Sequence, residues 1–146
     1  MIISFDIDNT LIPYADEFEV ERQTLLARLL GAEKIRKGSI ELFHELENKG
    51  HQIWIYTTSF RTKFSLWKTF ISYGLNPRKI INGQTSQRQL SKHNCKASKH
   101  PKLFGIDIHV DDSEGVKREG ERYGFQVIFV DPSDQDWQNT VLFPFR

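Results

Sequence analysis

The sequence predicts a three-layer α/β sandwich built on a central, parallel, five-stranded sheet. Three observations carry that expectation. Strand-like apolar runs alternate with helix-patterned stretches along the whole chain, three of those runs close on clustered polar residues, and 146 residues suit one domain with a single core. Alternation of this kind calls for right-handed crossovers. It also places ligands at the carboxyl ends of the strands. No repeat, linker or low-complexity segment interrupts the pattern.

Residues 2–7 are an apolar run ending in acids, and read as a buried first strand. Residues 13–37 differ in character. Within them, 17–30 have helical spacing, with Phe18, Leu25, Leu26, Leu29 and Leu30 able to share one face, and Gly31 is the expected stop. Ser39 is placed as the N-cap of a helix over 40–48, which Gly50 ends. Residues 53–56 form the second strand and run into Thr57-Thr58-Ser59. A helix over 62–73 follows, closed by Gly74 and Pro77. A short third strand spans 79–81, and the polar stretch 83–102 reads as helix plus loop. The fourth strand, 106–110, ends at Asp111-Asp112. A polar helix over 114–123 is stopped by Gly124, and the fifth strand, 126–130, breaks at Asp131-Pro132. A last helical turn falls around 134–139.

Hydrophobic residues make up 38% of the chain and charged residues 27%, the composition of an ordinary water-soluble globular domain. A formal net charge of +1 gives no electrostatic argument for a nucleic-acid or membrane partner. Cys95 is the single cysteine, so no disulfide can form within the chain and a reducing cytosol is the expected compartment. No apolar run approaches the ~20 residues that span a bilayer, and the first residues lack the pattern of a signal peptide. A cytoplasmic location is expected.

The chemistry gathers at three strand ends: Asp6-Ile7-Asp8-Asn9-Thr10, Thr57-Thr58-Ser59, and Asp111-Asp112. In a parallel sheet these ends share one edge, so four carboxylates converge. Such a cluster repels itself unless a cation sits within it. Oxygen ligands of this kind suit Mg²⁺.

Asp6-Ile7-Asp8-Asn9-Thr10-Leu11 resembles the first motif of the haloacid dehalogenase superfamily of phosphatases, an Asp-x-Asp-x-Thr run after the first strand. Thr57 or Thr58 resembles its second motif, a lysine after the third strand its third, and Asp111-Asp112 its fourth. The four come in the family's order and cover essentially the whole chain. The resemblance implies a Rossmann-like fold with a small or rudimentary cap, formed here by the insertion 13–37 of a single domain 1–146. It implies a magnesium-dependent phosphomonoester hydrolase working through an aspartyl phosphate. Asp6 would be the nucleophile and Asp8 the general acid and base. The Asp-x-Asp spacing serves this only if the chain turns out of the strand, so that both side chains face the phosphate.

Mg²⁺ would be held by Asp6, the backbone carbonyl of Asp8 and Asp112, with Asp111 as a supporting neighbour. Thr57 comes first for the phosphate-binding hydroxyl and Thr58 second, with Asn9 also facing the substrate. Lys99, which precedes His100-Pro101, is chosen as the third-motif lysine over Lys96 and Lys102. It would neutralise charge growing on the phosphate.

Other residues have plainer readings. His109 is a satisfied strand histidine, Arg61 an exposed arginine at a helix start, and Trp54, Trp67 and Trp137 are packing residues. The competing functions are a phosphotransferase with the same nucleophile, and a non-catalytic phosphate-binding or partner-binding domain. The small cap implies an open site, suited to a bulky or presented phosphorylated substrate, to a small ester held by its phosphate, or to closure by a second subunit.

Overall fold

In the computed structural model, which describes residues 1–146, five strands form one all-parallel sheet. They are β1 (Ile2–Phe5), β2 (Gln52–Tyr56), β3 (Lys79–Ile81), β4 (Ile108–Asp111) and β5 (Gln126–Phe129). Their order is β3-β2-β1-β4-β5, a Rossmann-like arrangement with β1 at the centre. Because β2 and β4 flank β1 on opposite sides, the strand order reverses at β1. A crevice therefore opens at the carboxyl ends of β1 and β4.

The helices are α1 (Leu25–Leu29), α2 (Ser39–Asn48), α3 (Lys63–Ser72), α4 (Gly83–Lys92), α5 (Glu114–Tyr123) and α6 (Trp137–Leu142). Short 3₁₀ turns follow at Pro101–Phe104 and Phe143–Phe145. No helix is long and apolar enough to cross a membrane.

The period-2 alternation of the strands divides the interior into two unequal halves. Ile3 and Phe5 of β1 and Ile53 and Ile55 of β2 face the larger half. There they pack with Leu42, Phe43 and Leu46 of α2, Leu66 and Phe70 of α3, and Trp137 and Val141 of α6. Phe43 lies 4.9 Å from Phe5, ring centre to ring centre. Each such side chain contributes about 1.5–3 kcal/mol through burial. The opposite face carries a smaller apolar group, Tyr56, Ile81 and Ile106. It also carries the buried polar residues Ser4 and His109. The sheet is thus greasy on one side and partly polar on the side that supports the site.

Thr62, Asn82 and Ser113 cap α3, α4 and α5, each accepting a backbone N–H three residues on. The start of α2 departs from expectation. Gly38, at φ 88°, takes the N-cap position and Ser39 is the first helical residue. The exposed donors are met from the insertion instead, since Glu21 accepts the N–H groups of Gly38 and Ile40 at 2.9 and 3.3 Å. A carboxylate at a helix N-terminus is favoured by the helix dipole as well.

The insertion itself corrects the expected helix over 17–30. Only Leu25–Leu29 is helical. Residues 19–21 run extended beside 35–37, with Glu21 N–H bonded to the Ile35 carbonyl and Lys37 N–H to that of Glu19. Ala27 is the one buried residue of α1, while Leu25 and Leu29 are 74% and 75% exposed. Helical spacing gives a face but not the side that faces the core. Here the pairing of the flanking chain overrides the local pattern.

Candidate active site

β1 ends at Phe5, and the chain then turns sharply. The Ile7 carbonyl accepts the N–H groups of Thr10, Leu11 and Ile12, and Asn9 adopts a left-handed φ of 64° that asparagine tolerates better than most residues. This turn brings Asp6 and Asp8 to the same side. Both line a cavity of about 220 Å³ with Tyr14, Thr58, Ser98, Lys99, Asp111 and Asp112.

Lys99 is the hub. It is only 3% exposed, and its Nζ lies 2.6 Å from Asp6 Oδ1 and 2.6 Å from Asp111 Oδ2. Lys96 and Lys102 are exposed. The choice among the three lysines is made by anchors around Lys99. Glu119 of α5 accepts both the N–H and the hydroxyl of Ser98 at 2.7 Å, and the Lys99 N–H at 3.3 Å. His100 N–H donates to the Tyr56 hydroxyl.

Asp111 is held on two further sides. His109 Nε2 approaches the Oδ2 that also meets Lys99, at 2.9 Å, and Ser113 N–H donates to Oδ1 at 2.8 Å. Behind His109, Ser4 Oγ lies 2.8 Å from Nδ1. Since a carboxylate only accepts, the His109 proton belongs on Nε2, and the Ser4 hydroxyl donates to Nδ1. Ser4 and His109 are register partners on β1 and β4, which aligns this relay. Asp112 is fixed differently: Thr10 Oγ1 donates to its carboxylate at 2.9 Å and accepts its N–H at 3.1 Å.

These contacts divide the titration behaviour of the acids. Burial raises the Asp6 carboxyl above the ordinary range, against the pull of the Lys99 ammonium. Burial also opposes ionisation of Asp111, but hydrogen bonding from His109 and the charge of Lys99 bring it well below that range. Asp112 is raised by burial, although Thr10 pulls the other way. His109 is pushed down by burial and by Lys99, and so is neutral. Asp6 and Asp111 thus share one buried ammonium, and Asp112 lies close beside them.

One carboxylate oxygen from each of Asp6, Asp111 and Asp112 lies within 4.8 Å of the other two. An all-oxygen set with surplus negative charge fits a hard divalent cation such as Mg²⁺.

Two expected contributors do not line the cavity. Thr57 is buried at the end of β2, its N–H bonded to Ile81 and its hydroxyl accepting the Ser59 N–H. Thr58, the next residue, lines the cavity instead. Its loop is pinned by Gly83, where any Cβ would collide with the Thr58 carbonyl oxygen. Asn9 serves the turn.

Arg61 is a correction. Far from being a free helix-start residue, it donates from Nη1 to both oxygens of Asp8, at 3.0 and 3.2 Å, and from Nη2 to Glu33 of the insertion at 2.8 Å. Trp67, expected as a packing residue, packs against Phe64 at 6.1 Å between ring centres but is 42% exposed. His109 was legible as satisfied, but not as a partner of Asp111. The available signal was its position two residues before Asp111, on the same strand face.

No family profile and no curated protein matches the chain in sequence.

Proposed function

We propose that this chain is a magnesium-dependent phosphomonoester hydrolase of the haloacid dehalogenase type, with Asp6 as nucleophile. The observation that carries this reading is the Lys99 ammonium held between Asp6 and Asp111 at the carboxyl end of the central strand. Such a lysine both positions the nucleophile and meets the negative charge of an incoming phosphate.

An Asp6 carboxylate oxygen attacks phosphorus, the bond to the leaving oxygen breaks, and Asp8 gives that oxygen a proton. Asp8 then takes a proton from the water that cleaves the aspartyl phosphate. Thr58, at the cavity wall, and Thr57 behind it are the candidates for gripping phosphate oxygens. Asp6, Asp112 and the Asp8 carbonyl would hold Mg²⁺, with Asp111 oriented beside them by His109 and Lys99. When bound, the metal supplies positive charge that lets one anion approach another. The single cysteine fits a reducing cytosol as the compartment.

Purified protein is expected to release p-nitrophenol from p-nitrophenyl phosphate with Mg²⁺ and to stop in excess chelator, with activity returning when Mg²⁺ is restored. Undiminished release in chelator would overturn the metal assignment. Alcohols added as acceptors separate a transferase from a hydrolase: the hydrolase reading requires that phosphate appear in step with p-nitrophenol.

Arg61 bears on the acid and base. Its two hydrogen bonds fix the Asp8 carboxylate at the cavity wall. Arg61→Ala is expected to lower kcat roughly 10- to 100-fold by freeing Asp8 to wander. Stability should fall as well, by about 1 kcal/mol or more, because the pair is only a quarter exposed and Asp8 and Glu33 both lose their partner. Steady-state kinetics with thermal unfolding checks this, and an unchanged kcat would show that Asp8 needs no such tether.

A further inference from the structure

The net charge of +1 conceals an uneven distribution. Residues 22–34 and 60–72 hold six of the 20 lysines and arginines but one of the 19 acids, so the rest of the chain is net negative. That one acid, Glu33, is already engaged by Arg61. The two stretches lie side by side. Thr24 Oγ1 donates to the Ser72 carbonyl at the end of α3, and Glu33 N–H donates to Thr69 within α3. Glu33 also reaches Arg61, just ahead of α3. The segment 24–33 folds back on itself, with Gln23 donating to the Ala32 carbonyl, and packs α1 against α3, so that the two helices share an outward side.

That surface is apolar in its middle. Leu25, Leu26, Leu29 and Leu30 project from the α1 stretch, and Phe60, Phe64 and Trp67 from the α3 stretch, with Phe64 at 69% exposure. All seven are exposed, and Phe64 lies 6.1 Å from Trp67, ring centre to ring centre; clustered exposure of large apolar side chains marks an interaction surface. The same two stretches carry Arg22, Arg28, Lys34, Lys63 and Lys68, none of which has an acidic partner in the fold.

We infer that this face docks onto the surface of an anionic lipid bilayer. Exposed leucines and aromatics on two stretches that also carry unpaired cations match an interfacial membrane-binding surface. A second copy of the chain would set the same cations against each other. Leu25 and Leu29 are about three-quarters exposed and so are free to enter a bilayer interface. Arg61 ends this face and bonds Asp8, so the docking surface is continuous with the wall of the Asp6 cavity.

The test is co-sedimentation of the intact protein with vesicles of phosphatidylcholine alone, and of equal parts phosphatidylcholine and phosphatidylglycerol. Binding is expected only to the mixed vesicles, and it should weaken as salt is raised. Lys63→Glu with Lys68→Glu should weaken partitioning at least about tenfold. Leu29→Ser with Phe64→Ser should do the same while leaving p-nitrophenyl phosphate turnover unchanged. No binding to either vesicle would overturn the inference, as would equal binding to both. A wild-type dimer in sedimentation velocity that becomes a monomer in Leu29→Ser/Phe64→Ser, without vesicle binding, would assign the face to self-association instead.

Discussion

Asp6→Asn is expected to abolish turnover of p-nitrophenyl phosphate, by a factor of at least about 10⁴, while leaving the fold intact. An amide keeps the size of the carboxylate but cannot act as the nucleophile, so the covalent route closes. The fold survives because Lys99 keeps Asp111 as its partner, at 2.6 Å. Asp6 is also a buried acid whose ionisation burial already opposes. Removing its charge therefore relieves one cost while losing one contact, and thermal unfolding should move by no more than about 1 kcal/mol. Reaction quenched in acid with labelled substrate adds a direct readout: the wild type should carry acid-stable label on the protein, and the variant none. Magnesium-dependent turnover within tenfold of wild type would sink the assignment of Asp6. A collapse of stability alongside activity would mean that Asp6 is a structural partner of Lys99 first.

Much of the sheet and part of this site were legible because they depend on short-range pattern. A parallel strand declares itself by a compact apolar run, and the residue that follows it must lie on the carboxyl edge. Asp6, Asp8, Asp111 and Asp112 were found on that ground alone. The structure shifts some boundaries, as for β4, which begins at Ile108 and takes in Asp111 rather than covering 106–110. The unreadable parts depend on pairings between distant segments. Ser4 meets His109 across 105 positions of sequence, and Glu119 selects Lys99 from a loop with three candidate lysines. Arg61 looked exposed because nothing nearby in sequence offers it a carboxylate. Its partners, Asp8 and Glu33, come from the first strand's turn and from the insertion. The insertion misled for the opposite reason: a strong local periodicity in its leucines described a helix whose apolar side faces outward.

Lys99→Met should damage both stability and activity, and the two losses should separate. Methionine fills a similar volume but leaves Asp6 and Asp111 with no ammonium between them. Removing one member of a buried charge cluster typically costs about 3–5 kcal/mol, because the charges left behind are no longer compensated. Turnover should fall roughly 10²- to 10⁴-fold, since the charge on the attacked phosphate loses its buried counter-charge. In Lys99→Met/Asp111→Asn one of the stranded carboxylates is neutral, so part of the stability should return in a urea titration. Activity should not, because the missing ammonium is still missing. Adding Mg²⁺ to Lys99→Met should raise its unfolding midpoint more than it raises that of the wild type, since a divalent cation among Asp6, Asp111 and Asp112 would meet the charge that Lys99 had balanced. If the double variant regained turnover along with stability, Lys99 would be a structural counter-ion only, and the negative charge on the phosphate would have to be met by the metal and by the backbone N–H groups around Thr58.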